Sequence, residues 1–186
     1  LTLGEMGRNL GNPPFATRES LPRIRKKELQ KAAAEMGIQD LRMMGLRDKT
    51  IEFEDEEKLV AMITSAIDEL QPSLVISFYP GYSVHPDHDA TGRAVVTTLG
   101  RIEKDKRPVL HTVAFAHNSV EDLGEPDVVY DVSEFLDTKM ATLKAHASQT
   151  QLMVGPWEEK LKERDPEVIE RLTKEKFWTY KWENEL

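Results

Sequence analysis

The stretch "HPDHD", His85 to Asp89, places two imidazoles and two carboxylates within five consecutive residues. Side chains of those types support two kinds of chemistry. A neutral imidazole is a good zinc ligand, and zinc-bound water ionises at roughly pH 7 instead of 15.7. An imidazole that holds no metal can stabilise an oxyanion or protonate a leaving amine, with a carboxylate keeping its other nitrogen in the required tautomer. Pro86 suits the first position of a helix, which makes His85 the residue just outside it and puts Asp87 and His88 in the first turn, near free backbone N–H groups. Three positions apart across a helix start, His85 and His88 can point toward one volume. The same residues also read as a Pro-started helix capped by Asp, with histidines that are merely solvated. Both readings stand at this point.

The elements that must position this stretch alternate between strand and helix. Just before it, "LVISFY" is short and continuously apolar, which predicts a fully buried strand. Just after it, "DATGRAVVTTLGRI" predicts a helix, weakened by Gly92 and its β-branched residues. Upstream, "LPRIRKKELQKAAAEMG" predicts a helix with Leu29, Ala32, Ala33 and Met36 at helical spacing, a basic outer face and Gly37 placed to end it. "IQDLRMM" predicts a short strand. "DEEKLVAMITSAIDEL" predicts the clearest helix, with a stripe of Leu59, Met62, Ile63, Ala66, Ile67 and Leu70, an acidic first turn and Pro72 to close it.

Downstream, "VLHTVAFA" and "VVYDV" predict strands and "FLDTKMATLKAHASQ" one helix. The charged tail ends in Phe177, Trp178, Tyr180 and Trp182, a patch suited to a core flap or to the contact of a homo-oligomer. Such alternation implies an α/β fold of Rossmann-like kind, a mostly parallel sheet with helices on both faces. Ligands in these folds sit beyond the carboxyl ends of the strands, which is where the His85–Asp89 stretch falls.

Composition narrows the function. With 186 residues, 39% hydrophobic and 31% charged, one domain spanning 1–186 is expected. The absence of cysteine excludes disulfides, thiolate nucleophiles and thiolate zinc sites, so a metal must be held by carboxylates and some of the five histidines. A formal charge of −8, with Lys and Arg interleaved with Glu, argues against nucleic acid and for a small-molecule partner. No apolar run approaches the roughly 20 residues that cross a bilayer and no leader-like segment is present, so no membrane association and a cytoplasmic location are expected. His146 reads as a structural helix residue, His111 as strand packing, and His117 as a loop residue that could face substrate. Arg18 and Arg23 read as solvated, and no Gly-x-Gly-x-x-Gly loop supports nucleotide binding.

Taken together, these motifs resemble the LmbE-like (PIG-L) family of zinc-dependent sugar N-deacetylases. "HPDHDATGRAV" is similar to that family's second signature, "TLGEMG" to its Gly-Glu-x-Gly loop, "RKKEL" to its Arg-x-x-Glu-Leu helix, "GLRD" to its Gly-x-x-Asp loop and "KMATLKAHASQ" to its C-terminal Lys-to-Ser-Gln helix. The order along the chain also agrees, and the wording looks closest to the bacillithiol-biosynthesis deacetylases, which release acetate from N-acetylglucosaminyl malate. The resemblance implies an LmbE-like three-layer sandwich. It makes His88 a zinc ligand, His85 the oxyanion stabiliser or acid, Asp87 its orienting partner, and Glu5, Arg25 and Asp48 the residues near the sugar. The family's other half-site, a His-Pro-Asp-Asp with two more zinc ligands and a general base, is not in this sequence. Because the chain opens on "LTLGEMG", like a strand end entering a loop, an N-terminal piece with that half-site and the sheet's first strand is expected to be missing. The contrasting expectation is a non-catalytic sugar-binding relative or fragment with an incomplete metal site.

Overall fold

A computed structural model describes residues 1–182 of the chain. In order, the elements are α1 (Leu21–Glu35), α2 (Glu56–Leu70), β1 (Leu74–Phe78), α3 (Pro86–Gly100), β2 (Val109–Val113), α4 (Ser119–Leu123), β3 (Val128–Asp131), α5 (Leu136–Ala145), α6 (Ala147–Lys162), α7 (Pro166–Thr173) and β4 (Lys174–Thr179). The strands form one mixed sheet in the order β1-β2-β4-β3. The chain divides into two compact units, 1–48 with 130–175, and 49–129 with the residues from 176 onward.

The second unit carries the His85–Asp89 stretch. β1 and β2 are parallel, with Leu74 opposite Val109 and Phe78 opposite Val113. Asp55 starts α2 by accepting from the Glu57 N–H at 2.8 Å, and Gln71 ends it in the left-handed region just before Pro72. α3 begins at Pro86, as its sequence predicts. Gly92 has a packing reason: a Cβ there would lie 2.7 Å from the Phe78 carbonyl oxygen, so only glycine lets α3 pass this close to β1. Val95, Leu99 and Leu110 form the core, with Ile63, Ile67, Val75, Tyr180 and Trp182 packed against it.

One expectation is corrected in this unit. β1 is not fully buried: it lies at an edge of the sheet, and Ile76 is 56% exposed while Val75 packs inward. The aromatic tail covers the core, as one of its two readings expects: its first part is β4, antiparallel to β2, with Thr112 opposite Trp178 and His111 opposite Thr179, and Tyr180 and Trp182 pack beyond it. His111 packs as expected, its ring stacked on Phe177 at 5.8 Å.

In the first unit, α1 packs on α5 and α6. Met140, Val154, Val168 and Leu172 form its core, joined by Leu136, Leu143, Trp157 and Leu161. Asp165 caps α7 by accepting from the N–H groups of Glu167 and Val168 at 3.0 and 3.1 Å. Ile38–Met44, expected as a strand, has no ladder and both of those end residues are exposed. Met36 is likewise exposed, past the end of α1. The single helix expected over 135–149 is broken at His146 (φ −85°, ψ 40°) into α5 and α6, and the His146 carbonyl accepts from the N–H groups of Gln149 and Thr150.

Candidate active site

Within the second unit, His85 occupies the N-cap of α3. Its Nδ1 accepts from the Asp87 N–H at 3.2 Å, so in the neutral ring the proton sits on Nε2. The cap thus selects one tautomer and leaves an N–H donor on the far side of the ring. His88 stands one turn inside the helix, its ring centroid 5.1 Å from that of His85 and stacked on Phe78 at 4.1 Å with only 4° between planes. Its Nδ1 is buried and has no hydrogen-bond partner among the described residues.

Asp87 is 5% exposed, and its carboxylate is bonded to the backbone of the loop before α2. Its oxygens accept from the N–H groups of Lys49 at 2.7 Å and Ile51 at 3.0 Å. The link from Asp87 to His85 therefore runs through the Asp87 backbone N–H, and its carboxylate pins the 49–51 loop to the start of α3. Asp89 fixes the other side, accepting from the Gly81 N–H at 2.9 Å. Between them, Val84 has φ +62° and a side chain 74% exposed, and the His85 N–H donates to the Ser83 carbonyl at 2.7 Å across it. A β-branched residue in the left-handed region is a genuine outlier. No sequence pattern pointed to Val84.

Within the first unit, Glu5, Arg25 and Asp48 are brought together. Glu5 Oε1 accepts from the Asp48 N–H and Asp48 Oδ2 from the Met6 N–H, both at 2.8 Å, a reciprocal clasp between two loops. Arg25 is 7% exposed and donates to the Gly4 carbonyl. A Cβ on either Gly4 or Gly7 would run into its guanidinium, so the two glycines of "GEMG" form a cradle for Arg25. Burial pushes the Arg25 guanidinium below its ordinary value, opposed by the negative charges of Asp48, Glu28 and Glu5. Glu28, three residues on, accepts from the Ser148 N–H at 2.7 Å and the Ser148 hydroxyl at 2.6 Å. The "RKKEL" and "HASQ" motifs are thus two halves of one joint, which nothing in either motif alone reveals. His117 is exposed in the loop before α4.

The family model described as "PIG-L: GlcNAc-PI de-N-acetylase" matches residues 1–99. A probable N-acetyl-alpha-D-glucosaminyl L-malate deacetylase 2 of Bacillus cereus is 52% identical over 98% of this chain and 83% of its own length. This chain belongs to the PIG-L family. The Bacillus subtilis protein of the same name is also 52% identical, over 97% of this chain and 82% of its own. Among solved structures, an N,N'-diacetylchitobiose deacetylase from Pyrococcus horikoshii superposes with a TM-score of 0.67 at 18% identity, over 96% of this chain and 70% of that one, a likeness of fold.

Whether the PIG-L residues present here fit a metal depends on the donors they offer. His88 fits as a single ligand: a buried ring nitrogen without a hydrogen bond wants a hydrogen-bond partner or, when unprotonated, a metal. No trio of His, Asp or Glu side chains is grouped to complete a centre among the described residues.

Proposed function

We propose that this chain is an amide hydrolase of the PIG-L kind that removes acetate from N-acetylglucosaminyl malate, a cytoplasmic enzyme of bacillithiol biosynthesis. The observation that carries this is 52% identity over 98% of the chain to a relative named for that activity. The local geometry agrees with it. His85, fixed as its Nε2–H tautomer, donates a hydrogen bond to the amide oxygen as negative charge develops there. Asp87 acts as a positioning residue, holding the loop and helix start that aim His85. Glu5 Oε2 and Asp48 Oδ1, the oxygens not used in the loop clasp, are the proposed acceptors for sugar hydroxyls, and Arg25 holds their loop in place.

Zinc is the proposed cofactor, with His88 as this chain's ligand, and it supplies hydroxide at neutral pH when bound. A single imidazole does not hold a catalytic zinc, so the full centre needs donors beyond those grouped in the described residues. The test is release of free amine from N-acetylglucosaminyl malate by the natural full-length enzyme, together with metal analysis. His88→Ala is expected to lose both the bound metal and about 10³-fold or more in kcat/KM, and His85→Gln about 10²–10³-fold with metal retained. Unchanged turnover in His88→Ala would reject the proposal.

A further inference from the structure

Besides the acetamide on its sugar, the conjugate named for the two Bacillus relatives has the carboxylates of L-malate. A molecule with a formal charge of −8 must offer these a local cation. Two cavities of the second unit are poor candidates. One sets Glu57, Asp68 and Glu69 beside Arg101, which is already paired with Glu57; the other sets Asp122, Glu125 and Asp127 beside Lys181. A third cavity, of about 210 Å³ and wholly within the first unit, has no carboxylate in its lining. Arg8, Asn9, Gln149 and Gln151 supply its polar groups, with Leu10 and Leu152 among its apolar walls.

The polar groups of this third cavity are held in place by bonds that leave donors open. Asn9 Nδ2 donates to the Gln149 carbonyl at 3.4 Å, and the Asn12 N–H donates to Gln151 Oε1 at 3.0 Å. That fixes the Gln151 amide with its Nε2 donors unused, and the Arg8 guanidinium has no partner among the described residues. The neighbouring arginines are committed elsewhere: Arg18 donates to the Gly7 carbonyl at 2.7 Å and Arg25 to that of Gly4. Ser148, also in the wall, is spent on Glu28. At about 210 Å³ the cavity is smaller than the ~300–1,000 Å³ of sites that enclose a whole small ligand, so it takes one end of a ligand.

We propose that Arg8, assisted by Gln151, binds a carboxylate of the acid portion of the substrate and sets the preference for an acidic aglycone. This rests on the deacetylase activity proposed above. A guanidinium offers a carboxylate two parallel N–H bonds, and the Gln151 amide adds another. Arg8 stands three residues after Glu5 on the loop that the family motif assigns to the sugar, so one loop carries contacts for both ends of the conjugate.

The test compares N-acetylglucosaminyl malate with its uncharged dimethyl ester as substrates of the natural full-length enzyme. Arg8→Ala is expected to raise KM for the diacid by about 10- to 100-fold, with a penalty on the ester about tenfold smaller. Arg8→Lys restores part of the loss, and Gln151→Leu shows the same asymmetry more weakly, so misfolding of one variant does not decide the outcome. Titration calorimetry with free L-malate should show weaker binding in Arg8→Ala. Equal penalties on both substrates, or none on the diacid, would overturn the subsite while leaving the activity standing. Failure of the unaltered enzyme to deacetylate the diacid conjugate would overturn the activity and the subsite with it.

Discussion

Val84 holds a backbone conformation its branched side chain disfavours, directly before His85. The cost of such a residue in the left-handed region is about 1–2 kcal/mol, and it persists only where surrounding structure over-determines it. Here the surroundings are the Asp89 bond to Gly81, the His85 N–H bond to Ser83 and the buried Ser83 hydroxyl, which donates to the Tyr79 carbonyl at 2.8 Å. Val84→Gly should remove the strain at the cost of about 0.5–1 kcal/mol of unfolded-chain entropy, a net gain in stability of up to about 1 kcal/mol. The freed turn should also let His85 wander, lowering kcat about tenfold. Urea denaturation and turnover of one preparation check both; a less stable variant would show that Val84 is held by packing instead of against strain. Pro86 made the N-cap position of His85 legible in the sequence, because a proline start fixes the helix register. The role of Asp87 was not legible, since its partners are backbone N–H groups 36 and 38 residues away. Nor was the burial of Arg25, a charge among the basic neighbours Arg23, Lys26 and Lys27 whose cradle is two glycines of a distant loop.

Among the helices, the joint between α1 and α6 is the least ordinary contact: a buried glutamate serves as N-terminal cap for a helix 120 residues further on. Glu28 satisfies the Ser148 N–H, one of the orphan donors of the first turn of α6, and places negative charge at its positive end. Glu28→Gln turns an amide N–H₂ toward one of two donors and should cost about 1–3 kcal/mol, while Ser148→Ala removes one bond and should cost about 1–2 kcal/mol. Because the two side chains share one joint, the double variant should cost less than the sum by about 1 kcal/mol or more in urea denaturation, and strict additivity would mean the contact is not formed in solution. Local cues made α1, α2 and α3 readable: Gly37, the Asp55 cap and Pro86 are all signals within a turn of the ends they mark. β4 was not readable, because "KEKFWT" is half charged and becomes a strand only by pairing with β2, which precedes it by more than 60 residues. The break at His146 interrupts an unbroken helical periodicity, held by the Thr150 hydroxyl donating to the His146 carbonyl at 3.0 Å.

At the scale of the whole chain, neither compact unit is a contiguous segment. The second begins at residue 49 and recruits its last strand segment and aromatic core contacts from beyond residue 175. Tyr180 and Trp182 pack on the Val95–Leu99–Leu110 core, the Tyr180 N–H donates to the Leu110 carbonyl at 2.9 Å, and Arg107 lies over the Trp182 ring at 4.2 Å. Each of those aromatics contributes about 1–3 kcal/mol by burial, and the paired backbone of β4 adds to it. Set against a typical stability of about 5–15 kcal/mol, losing the return segment removes much of what keeps this unit folded. A fragment of residues 49–129 still contains α2, β1, α3 and β2 with the whole His85–Asp89 stretch, yet β2 loses its antiparallel partner and the core loses one wall. It should show no cooperative thermal transition by circular dichroism. Adding a peptide of residues 174–182 at high concentration should restore partial structure, because the pairing with β2 and the aromatic contacts are regained without a covalent link. A fragment that melts cooperatively without the peptide would mean that α2 and α3 packed on the parallel pair suffice, and that the return of the chain adds stability to a unit already formed.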